Sequence, residues 1–268
     1  MSDIRVLSLY SGSTGNAFLV CAGEDCILID AGKNAKQLCL SLNAAGVSPD
    51  RVQAIFLTHE HNDHTAALSV FLKKHPIPVH LPAGCVYKLC HDPAIEPRLC
   101  PHPPIHTEQI GCMRVTSFPT PHDSRASVGY RIEIQTKDPS VVYRIGYATD
   151  IGYVSRDVEA GLLGCDAVVL ESNHDVDMLM CGIYPEYLKQ RIFSRRGHLS
   201  NPDSAVFAAR LCQCGTKSLM LAHLSQENNT PDIAYDECVS AVADSGVPIC
   251  VAAPDHITEM ILPKKEKL

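Results

Sequence analysis

The amino-acid sequence predicts an α/β (α+β) fold in which two mixed β-sheets pack face to face and helices cover their outer faces. Two observations predict it. In each half of the chain, short strands separated by turns come first, and helices alternating with single strands follow. The composition, 46% hydrophobic and 20% charged over 268 residues, is that of an ordinary globular protein. Because no linker, low-complexity tract or close internal repeat marks a boundary, we expect one domain over residues 1–268.

The N-terminal half begins with an antiparallel meander of apolar, β-branched strands, predicted at 4–9, 17–21 and 26–30. Glycine-containing turns separate these strands, at 11–16 (SGSTGN) and at 23–25 (GED). An amphipathic helix at 35–45 ends at Gly46, and a strand at 54–58 leads into a group of histidines. A helix at 65–75 then precedes a Pro-, Cys- and His-rich stretch, 76–106, to which we assign no element.

The C-terminal half repeats this order. Strands are predicted at 113–118, 127–135 and 141–147. After Asp150 the pattern alternates, with helices at 155–163, 185–194, 202–212 and 231–244 and strands at 167–170, 218–222 and 249–252.

Composition excludes several classes of protein. No apolar run approaches the ~18 residues that a membrane span requires, and residues 1–10 lack the features of an export signal, so we expect a cytoplasmic protein without a membrane partner. In a reducing compartment the thirteen cysteines are expected to be thiols, with no structural disulfide. The net charge of −7 argues against general coating of nucleic acid, although it permits a local basic cleft.

The segment 58–64 (THEHNDH) carries the clearest chemical signal. It places three imidazoles and the carboxylate of Asp63 within six residues, where a predicted strand gives way to a loop. Imidazole and carboxylate ligands together suit Zn²⁺, and also Mn²⁺ or Fe²⁺. The pattern His-x-His-x-Asp-His is far more specific than an isolated histidine, and it predicts a metal site.

This motif, the strand end at 30–32 (DAG), Asp150 and His223 together resemble the metallo-β-lactamase superfamily. Within it, the segments 11–16, 171–175 (ESNHD), 196–201 (RGHLSN) and 222–225 (AHLS) are similar to YycJ/WalJ-type proteins, exonuclease-like relatives of ribonuclease Z. The resemblance covers nearly the whole chain. It implies an αββα sandwich with a dinuclear metal site at one edge.

The resemblance also implies the ligands. It assigns three side chains to each of two divalent ions, zinc being favoured: His59, His61 and His122 to the first, and Asp63, His64 and His223 to the second. Asp150 would bridge the ions, and Asp63 also counts among the catalytic residues. Each ion would then keep enough positive charge to acidify a bridging water, whose hydroxide is the expected nucleophile. Asp30 is expected behind the ligands, where it orients a histidine.

Two further residues are expected to transfer a proton. His198 resembles the histidine that ribonuclease Z uses beside the scissile phosphate, and Glu171, directly after a predicted strand, matches the glutamate that supports it. A carboxylate partner raises the pKa of an imidazole toward working pH and fixes its tautomer. We therefore interpret His198 as a general acid and Glu171 as the residue that orients it. The alternative is a helix-capping or surface histidine.

Polar side chains near this motif are candidates for substrate binding. Arg195 and Arg196, with Arg191 before them, could bind a phosphate backbone, or they could simply interact with the dipole of the preceding helix. Ser225 and Asn229 could likewise donate hydrogen bonds to a phosphate. Cysteines and histidines between 85 and 112 fit no compact paired motif, so we expect scattered thiols and histidines there rather than an additional structural zinc site.

The superfamily hosts several reactions, so residues must decide the function. His61 stands where diiron oxygen reducers of the family typically carry glutamate, which argues against redox chemistry. We expect a two-metal phosphodiesterase that acts on nucleic acid, DNA being favoured over RNA, as a 5′-to-3′ exonuclease. The alternatives are a thioester or small-ester hydrolase with the same ions, and a metal-binding regulatory protein with little turnover. A pure binder has no use for the proton donor that His198 and Glu171 would form.

Overall fold

The computed structural model describes residues 4–263 and arranges fourteen strands of this range in two seven-stranded sheets. In spatial order, sheet one contains β14 (Thr258–Glu259), β1 (Ile4–Tyr10), β2 (Ala17–Ala22), β3 (Asp25–Ile29), β4 (Val52–Phe56), β5 (Val79–Pro82) and β6 (Leu99–His102). Sheet two contains β13 (Ile249–Val251), β12 (Ser218–Ala222), β11 (Ala167–Glu171), β10 (Val142–Ala148), β9 (Val128–Gln135), β8 (Met113–Pro119) and β7 (Thr107–Ile110).

Both sheets are built alike. Each has three antiparallel pairings, β14-β1-β2-β3 and β7-β8-β9-β10, followed by three parallel ones, β3-β4-β5-β6 and β10-β11-β12-β13. Short turns can join antiparallel neighbours, whereas parallel neighbours need a crossover, usually a helix. This difference explains why each half of the sequence begins with strands separated by turns and continues with helices that alternate with strands.

Helices cover both outer faces. On the side of sheet one lie α1 (Ala35–Ala44), α2 (Asn62–Thr65), α3 (Leu68–Lys74) and α4 (Val86–Leu89). The connections of sheet two contain α5 (Arg156–Leu162), α6 (Val176–Cys181), α7 (Glu186–Phe193), α8 (Asn201–Gln213) and α9 (Pro231–Val242). Of these, α5, α8 and α9 share a buried apolar layer with the outer face of sheet two.

Buried side chains form three apolar layers, one under each group of helices and one between the sheets. Along β2, Phe18 and Val20 enter the layer between the sheets, while Leu19 and Cys21 enter the layer under the helices of sheet one. A strand that is covered on both faces is apolar at successive positions, which explains why these strands appear in the sequence as uninterrupted hydrophobic runs.

The predicted fold class is confirmed, and most predicted elements lie within a few residues of their places. The helix expected at 65–75 is two short helices, α2 and α3. The stretch 76–106, to which no element was assigned, contains β5, α4 and β6. These strands have four residues each and include Pro82 and Pro101, so they are too short and too proline-rich to show a strand pattern.

The expectation that the cysteines form no disulfide is wrong. Cys21 and Cys26 are directly opposite each other in the register of β2 and β3, with Cα atoms 4.2 Å apart, and they form a disulfide. Counting cysteines could not reveal this pair, because the pairing depends on strand register. Separately, none of the helices between residues 4 and 263 has the length and apolar character needed to cross a membrane.

The long-range pairing of β14 with β1 completes sheet one. Arg5 of β1 and Glu259 of β14, 254 positions apart, form a two-pronged ion pair with N···O distances of 2.8 and 2.9 Å. The backbone N–H of Met260 also donates to the carbonyl of Val6. The edge of sheet one beside β1 is therefore covered by a segment from the opposite end of the sequence.

Candidate metal centre

Polar residues converge where strands of both sheets end. Sheet one supplies Asp30 after β3 and the segment 59–64 after β4. Sheet two supplies His122, Asp150, Glu171 and His223, at or just after the ends of β8, β10, β11 and β12. These strands run in the same direction within each sheet, so their ends gather at one edge of the sandwich.

Three of these residues have left-handed backbone conformations, namely Asp30 (φ 62°), Asp150 (φ 58°) and His223 (φ 58°). This region of backbone conformation is uncommon for residues other than glycine, and it costs about 1–3 kcal/mol per residue. Each of the three follows its strand by one or two positions. The chain therefore turns sharply at these three residues. Strained backbone conformations of this kind cluster at functional sites.

The first predicted set of ligands forms a compact group of imidazoles. The ring centroid of His59 lies 4.5 Å from that of His61 and 4.8 Å from that of His122. The centroids of His61 and His122 are 5.1 Å apart. Burial, together with the neighbouring imidazoles, lowers the pKa of His59 well below its ordinary value. A neutral imidazole keeps the lone pair that a metal ligand needs.

The second predicted set combines a carboxylate with two imidazoles. Asp63 Oδ2 lies 3.2 Å from His64 Nε2 and 3.6 Å from His223 Nε2. On the far side of the ring, His64 Nδ1 lies 2.7 Å from Oδ2 of the fully buried Asp30. The backbone N–H of Thr58 donates to the other oxygen of Asp30, at 2.8 Å. This is the contact that an orienting role for Asp30 requires, because it directs Nε2 of His64 toward Asp63.

Asp150 lies between the two sets. Its Oδ2 is 3.3 Å from His64 Nε2, and its Oδ1 is 3.6 Å from both His122 Nε2 and His223 Nε2. One carboxylate thus contacts nitrogen atoms of both predicted sets, as a bridging ligand must.

The residues fit divalent metal ions. Three buried atoms at the centre of the cluster, His59 Nε2, Asp150 Oδ2 and His223 Nε2, make no hydrogen bond within the described part of the chain. Leaving such atoms unsatisfied costs about 1–3 kcal/mol each, whereas coordination would satisfy them. Although burial opposes it, the carboxylates of Asp30, Asp63 and Asp150 raise the pKa of His64 well above its ordinary value, which shows a local excess of negative charge that a cation would neutralise.

Glu171 connects several parts of the site. Its carboxylate is fully buried, and Oε1 accepts hydrogen bonds from Nδ1 of His198 (2.8 Å) and Nδ1 of His223 (3.0 Å). Its Oε2 accepts from the backbone N–H groups of Ile151 (2.8 Å) and Leu199 (3.0 Å). Although burial alone would raise it, the two imidazoles lower the pKa of Glu171. The sequence predicted the contact with His198, but it provided no indication of the contact with His223.

The SGSTGN turn has a structural role that the sequence did not indicate. Asn16 Nδ2 lies 3.2 Å from His64 Nε2 and 3.4 Å from Asp63 Oδ2, and its Oδ1 accepts a hydrogen bond from Ser11. Ser11 Oγ in turn accepts the backbone N–H of His223 at 2.9 Å. The turn therefore contacts all three residues of the second ligand set.

Glu60 lies within the histidine motif but points away from the predicted ligands. Its carboxylate accepts hydrogen bonds from Cys85 Sγ (3.1 Å), the Tyr87 hydroxyl (3.2 Å) and the backbone N–H of Arg125 (3.3 Å). It thus ties the loop 59–64 to the segment after β5 and to the loop before β9.

The predicted phosphate-binding arginines have different partners. Arg191 forms an ion pair with Asp123, whose Oδ1 lies 3.3 Å from His122 Nε2, so Asp123 is a residue of the site rim that the sequence did not identify. Arg196 donates to the carbonyls of His122 and Ser124, both at 3.1 Å, and so braces this loop.

Arg195 instead borders an open groove. Its guanidinium lies over the ring of Tyr153, 4.2 Å from the centroid. The groove has a volume of about 640 Å³ and is lined by His122, Arg125, Tyr153 and Arg195, among others. It therefore leads directly to a predicted metal ligand.

Asn229 lies inside the protein. Its side-chain N–H groups donate to the carbonyls of Ser172 and Asn173, and Asn173 in turn donates to the carbonyl of His223. Because these bonds occupy both N–H groups of Asn229, we assign this residue to the scaffold beneath His223 instead of to phosphate binding. Ser225, half-buried, accepts the backbone N–H of Asn228 at 3.1 Å.

The chain is similar in sequence to known proteins over most of its length. The family model described as "Beta-lactamase superfamily domain" matches residues 26–224. The chain is 32% identical over 261 residues to exodeoxyribonuclease YycJ of Bacillus anthracis, covering 96% of each chain. It is 33% identical over 274 residues to exodeoxyribonuclease WalJ of Streptococcus pneumoniae, covering 99% of this chain and all of the relative.

Solved structures show the same fold. The metallo-β-lactamase fold protein YhfI from Bacillus subtilis superimposes with a TM-score of 0.73 at 17% identity, over 96% of this chain and all of that one. The short form of human tRNase Z superimposes with a TM-score of 0.63 at 18% identity, over 97% of this chain and all of that one.

The position of Asp150 between the two predicted ligand sets leads to a testable prediction. Asp150→Ala should lower the content of bound metal at both ligand sets, because one carboxylate contacts both. Elemental analysis of purified, metal-loaded protein measures this. Glu237→Ala is the matched control, since it removes an exposed carboxylate of α9 that belongs to neither ligand set, and it should retain the metal. Full metal content in Asp150→Ala would contradict the bridging assignment.

Proposed function

The chain belongs to the β-lactamase superfamily, and from this premise we propose that it is a metal-dependent phosphodiesterase that degrades DNA as a 5′-to-3′ exonuclease. The observation that carries the proposal is the hydrogen bond between Glu171 and His198, at the edge of the ligand cluster. The full-length similarity to two proteins named exodeoxyribonuclease supports the choice of substrate.

The proposed ligands divide into two sets around a shared carboxylate. His59, His61 and His122 would hold one divalent ion, Asp63, His64 and His223 would hold the other, and Asp150 would contact both. Zn²⁺ suits this mixture of imidazole and carboxylate. Such ions activate a water molecule for attack and polarise the phosphoryl oxygen. Asp30 and Glu171 hold His64 and His223 by Nδ1, which leaves Nε2 of each ring available as the atom that would bind an ion.

His198 is placed to supply a proton. Its Nδ1 is bound to Glu171, so Nε2 is the atom available to the substrate, and its side chain remains 21% exposed. The bond to Glu171 fixes the orientation of the ring, and Nε2 would donate a proton to the departing oxygen of the phosphodiester. A protein that only bound metal would use Glu171 to orient His223 but would gain nothing from His198.

The groove beside His122 would bind the DNA strand. Arg125 lies over the ring of Tyr87, 4.0 Å from its centroid, as Arg195 does over Tyr153. Stacking on aromatic rings holds a guanidinium in a defined plane while leaving its N–H groups free for phosphate oxygens. In a chain of net charge −7, this local pair of cations is the feature of the groove that suits a polyanion.

The direct test is an assay of metal-loaded protein on single-stranded DNA labelled at either end, on RNA and on a thioester. DNA labelled at its 5′ end should release labelled mononucleotide at once, while DNA labelled at its 3′ end should shorten stepwise. The same protein after chelation is the control. Preferential turnover of the thioester would favour the esterase alternative, and metal-bound protein without turnover on any substrate would favour a regulatory role.

The proposed proton transfer predicts a dependence on the leaving group. His198→Ala should retain metal, but its kcat on DNA should fall ~10²- to 10⁴-fold, the usual contribution of a positioned acid. On bis-p-nitrophenyl phosphate the loss should be far smaller, because nitrophenolate departs without a proton. Equal losses on both substrates in His198→Ala would instead indicate stabilisation of transition-state charge. Glu171→Gln also weakens the hold on His223, so it should lower activity on both substrates and reduce the content of bound metal.

The groove predicts a change in salt dependence. If two phosphates contact Arg125 and Arg195, the double variant Arg125→Ala/Arg195→Ala should bind DNA more weakly, with the slope of log affinity against log salt flattened by about 2. Lys36→Ala/Lys73→Ala removes the same charge from helices on the outer face of sheet one and should leave the slope unchanged. An identical slope in both double variants would remove the groove from the proposal.

A further inference from the structure

The segment that contains α6 and α7, residues 176–196, exposes large apolar side chains next to the proposed site. Four of them are more than half exposed, namely Met180 (52%), Ile183 (88%), Tyr187 (74%) and Phe193 (57%). In the described chain, none of the eight residues of α7 is buried, and α6 buries only Leu179. The segment therefore contributes little to the apolar layers of the fold, and a group of exposed apolar side chains of this kind marks a surface for interaction.

The C-terminal end of this segment is fixed to the site. Arg191 of α7 forms an ion pair with Asp123 at the rim of the ligand cluster. The backbone N–H of His198 donates to the carbonyl of Ile192 at 2.9 Å. A Cβ atom at Gly197 would lie only 2.0 Å from the same carbonyl oxygen, so this close approach requires glycine. The last turn of α7 therefore lies against the proposed proton donor.

Tyr187 shares a face of α7 with Arg191. Residues four positions apart lie on the same side of an α-helix, and each residue advances the helix by about 1.5 Å. Tyr187 is therefore one turn, about 6 Å, from the residue that contacts the rim. The half-buried Leu188 and Ile192 form the inner face of the helix. The ring of Tyr187 is thus presented to solvent beside the ligand cluster.

The charge of the segment suits a polyanion. Residues 183–196 belong to a chain of net charge −7, yet they carry four cations and one carboxylate, namely Lys189, Arg191, Arg195, Arg196 and Glu186. Among the described residues, Arg191 is the only one of these cations that pairs with a carboxylate. Arg195 also borders the groove beside His122, so the cationic surface continues from the groove onto this segment. Sites for unpaired nucleic-acid strands combine cations with exposed aromatic rings in this way.

We propose that Tyr187 stacks on an unpaired base of the DNA strand and so positions the strand that the groove binds. This inference rests on the proposed function and extends it, because it assigns a contact to a base and not to a phosphate. An unpaired base, in a single strand or at a frayed duplex end, presents an aromatic face whatever its identity. The contact therefore requires an unpaired base near the cleaved bond but no particular sequence.

The first experiment measures the affinity of metal-loaded protein for a fluorescein-labelled single strand with phosphorothioate linkages, by fluorescence anisotropy. Tyr187→Ala should bind about 5- to 150-fold more weakly, the range expected from the loss of one stacked base. Tyr187→Phe should bind like the wild type, because the ring is retained. Tyr235→Ala, which removes an exposed tyrosine of α9, should leave the affinity unchanged. Equal affinity of Tyr187→Ala and wild type would overturn the proposal.

The second experiment locates the base. One abasic site is moved along the oligonucleotide from its 5′ end, and each oligonucleotide is titrated with the wild type and with Tyr187→Ala. At one position the abasic site should weaken binding to the wild type as much as Tyr187→Ala does, and combining the two changes should weaken it no further. Losses that add at every position would show that Tyr187 contacts no base, and the proposal would fail.

The remaining outcomes separate this inference from the proposed function. A wild type that binds no DNA would contradict the proposed function and this inference with it, whereas binding that is insensitive to Tyr187 would contradict this inference alone. Sedimentation velocity tests whether a second copy covers the same face. A dimer that Tyr187→Ala converts to a monomer would assign the face to self-association and overturn the proposal.

Discussion

The geometry of the site depends on the hydrogen bonds that the carboxylate of Glu171 accepts. A fully buried carboxylate is costly unless its oxygens are hydrogen-bonded, and here two imidazoles and two backbone N–H groups satisfy it. These four donors come from the segments that follow β10, precede α8 and follow β12. One side chain at the end of β11 therefore sets the relative positions of the loop after Asp150, His198 and His223.

Sheet one contains a counterpart. The buried carboxylate of Asp30 accepts from the backbone N–H and hydroxyl of Thr58 and contacts His64 Nδ1. Each sheet thus contributes one anion that lies behind the predicted ligands and fixes a ring from its rear nitrogen. Since the two anions belong to different sheets, the apolar layer between the sheets, where Phe18 meets Tyr147 edge to face at 4.8 Å, determines the distance between the two halves of the site.

The sequence could predict whatever is local or carried by family resemblance. The strands of both meanders follow from apolar runs between turns, and the segment 59–64 is a continuous motif. The sequence could not predict contacts between distant segments. The Cys21–Cys26 bond depends on register, and the role of Asn16 depends on a turn folding beneath His64. The internal position of Asn229 was also hidden, because a buried asparagine and an exposed one look alike in a sequence.

The pairing of β14 with β1 has a consequence for how the protein is made. As the chain emerges from a ribosome, β1 appears before its neighbour β14, which follows 254 positions later along the Arg5–Glu259 pair. Until then β1 is a bare edge that could pair with another nascent chain. The SGSTGN turn also lacks one of its contacts until the segment before β14 has been made, because the N–H of Ser11 donates to the carbonyl of Ala253. Sheet one and the support behind the site are therefore completed only after Ala253 and β14 have been synthesised.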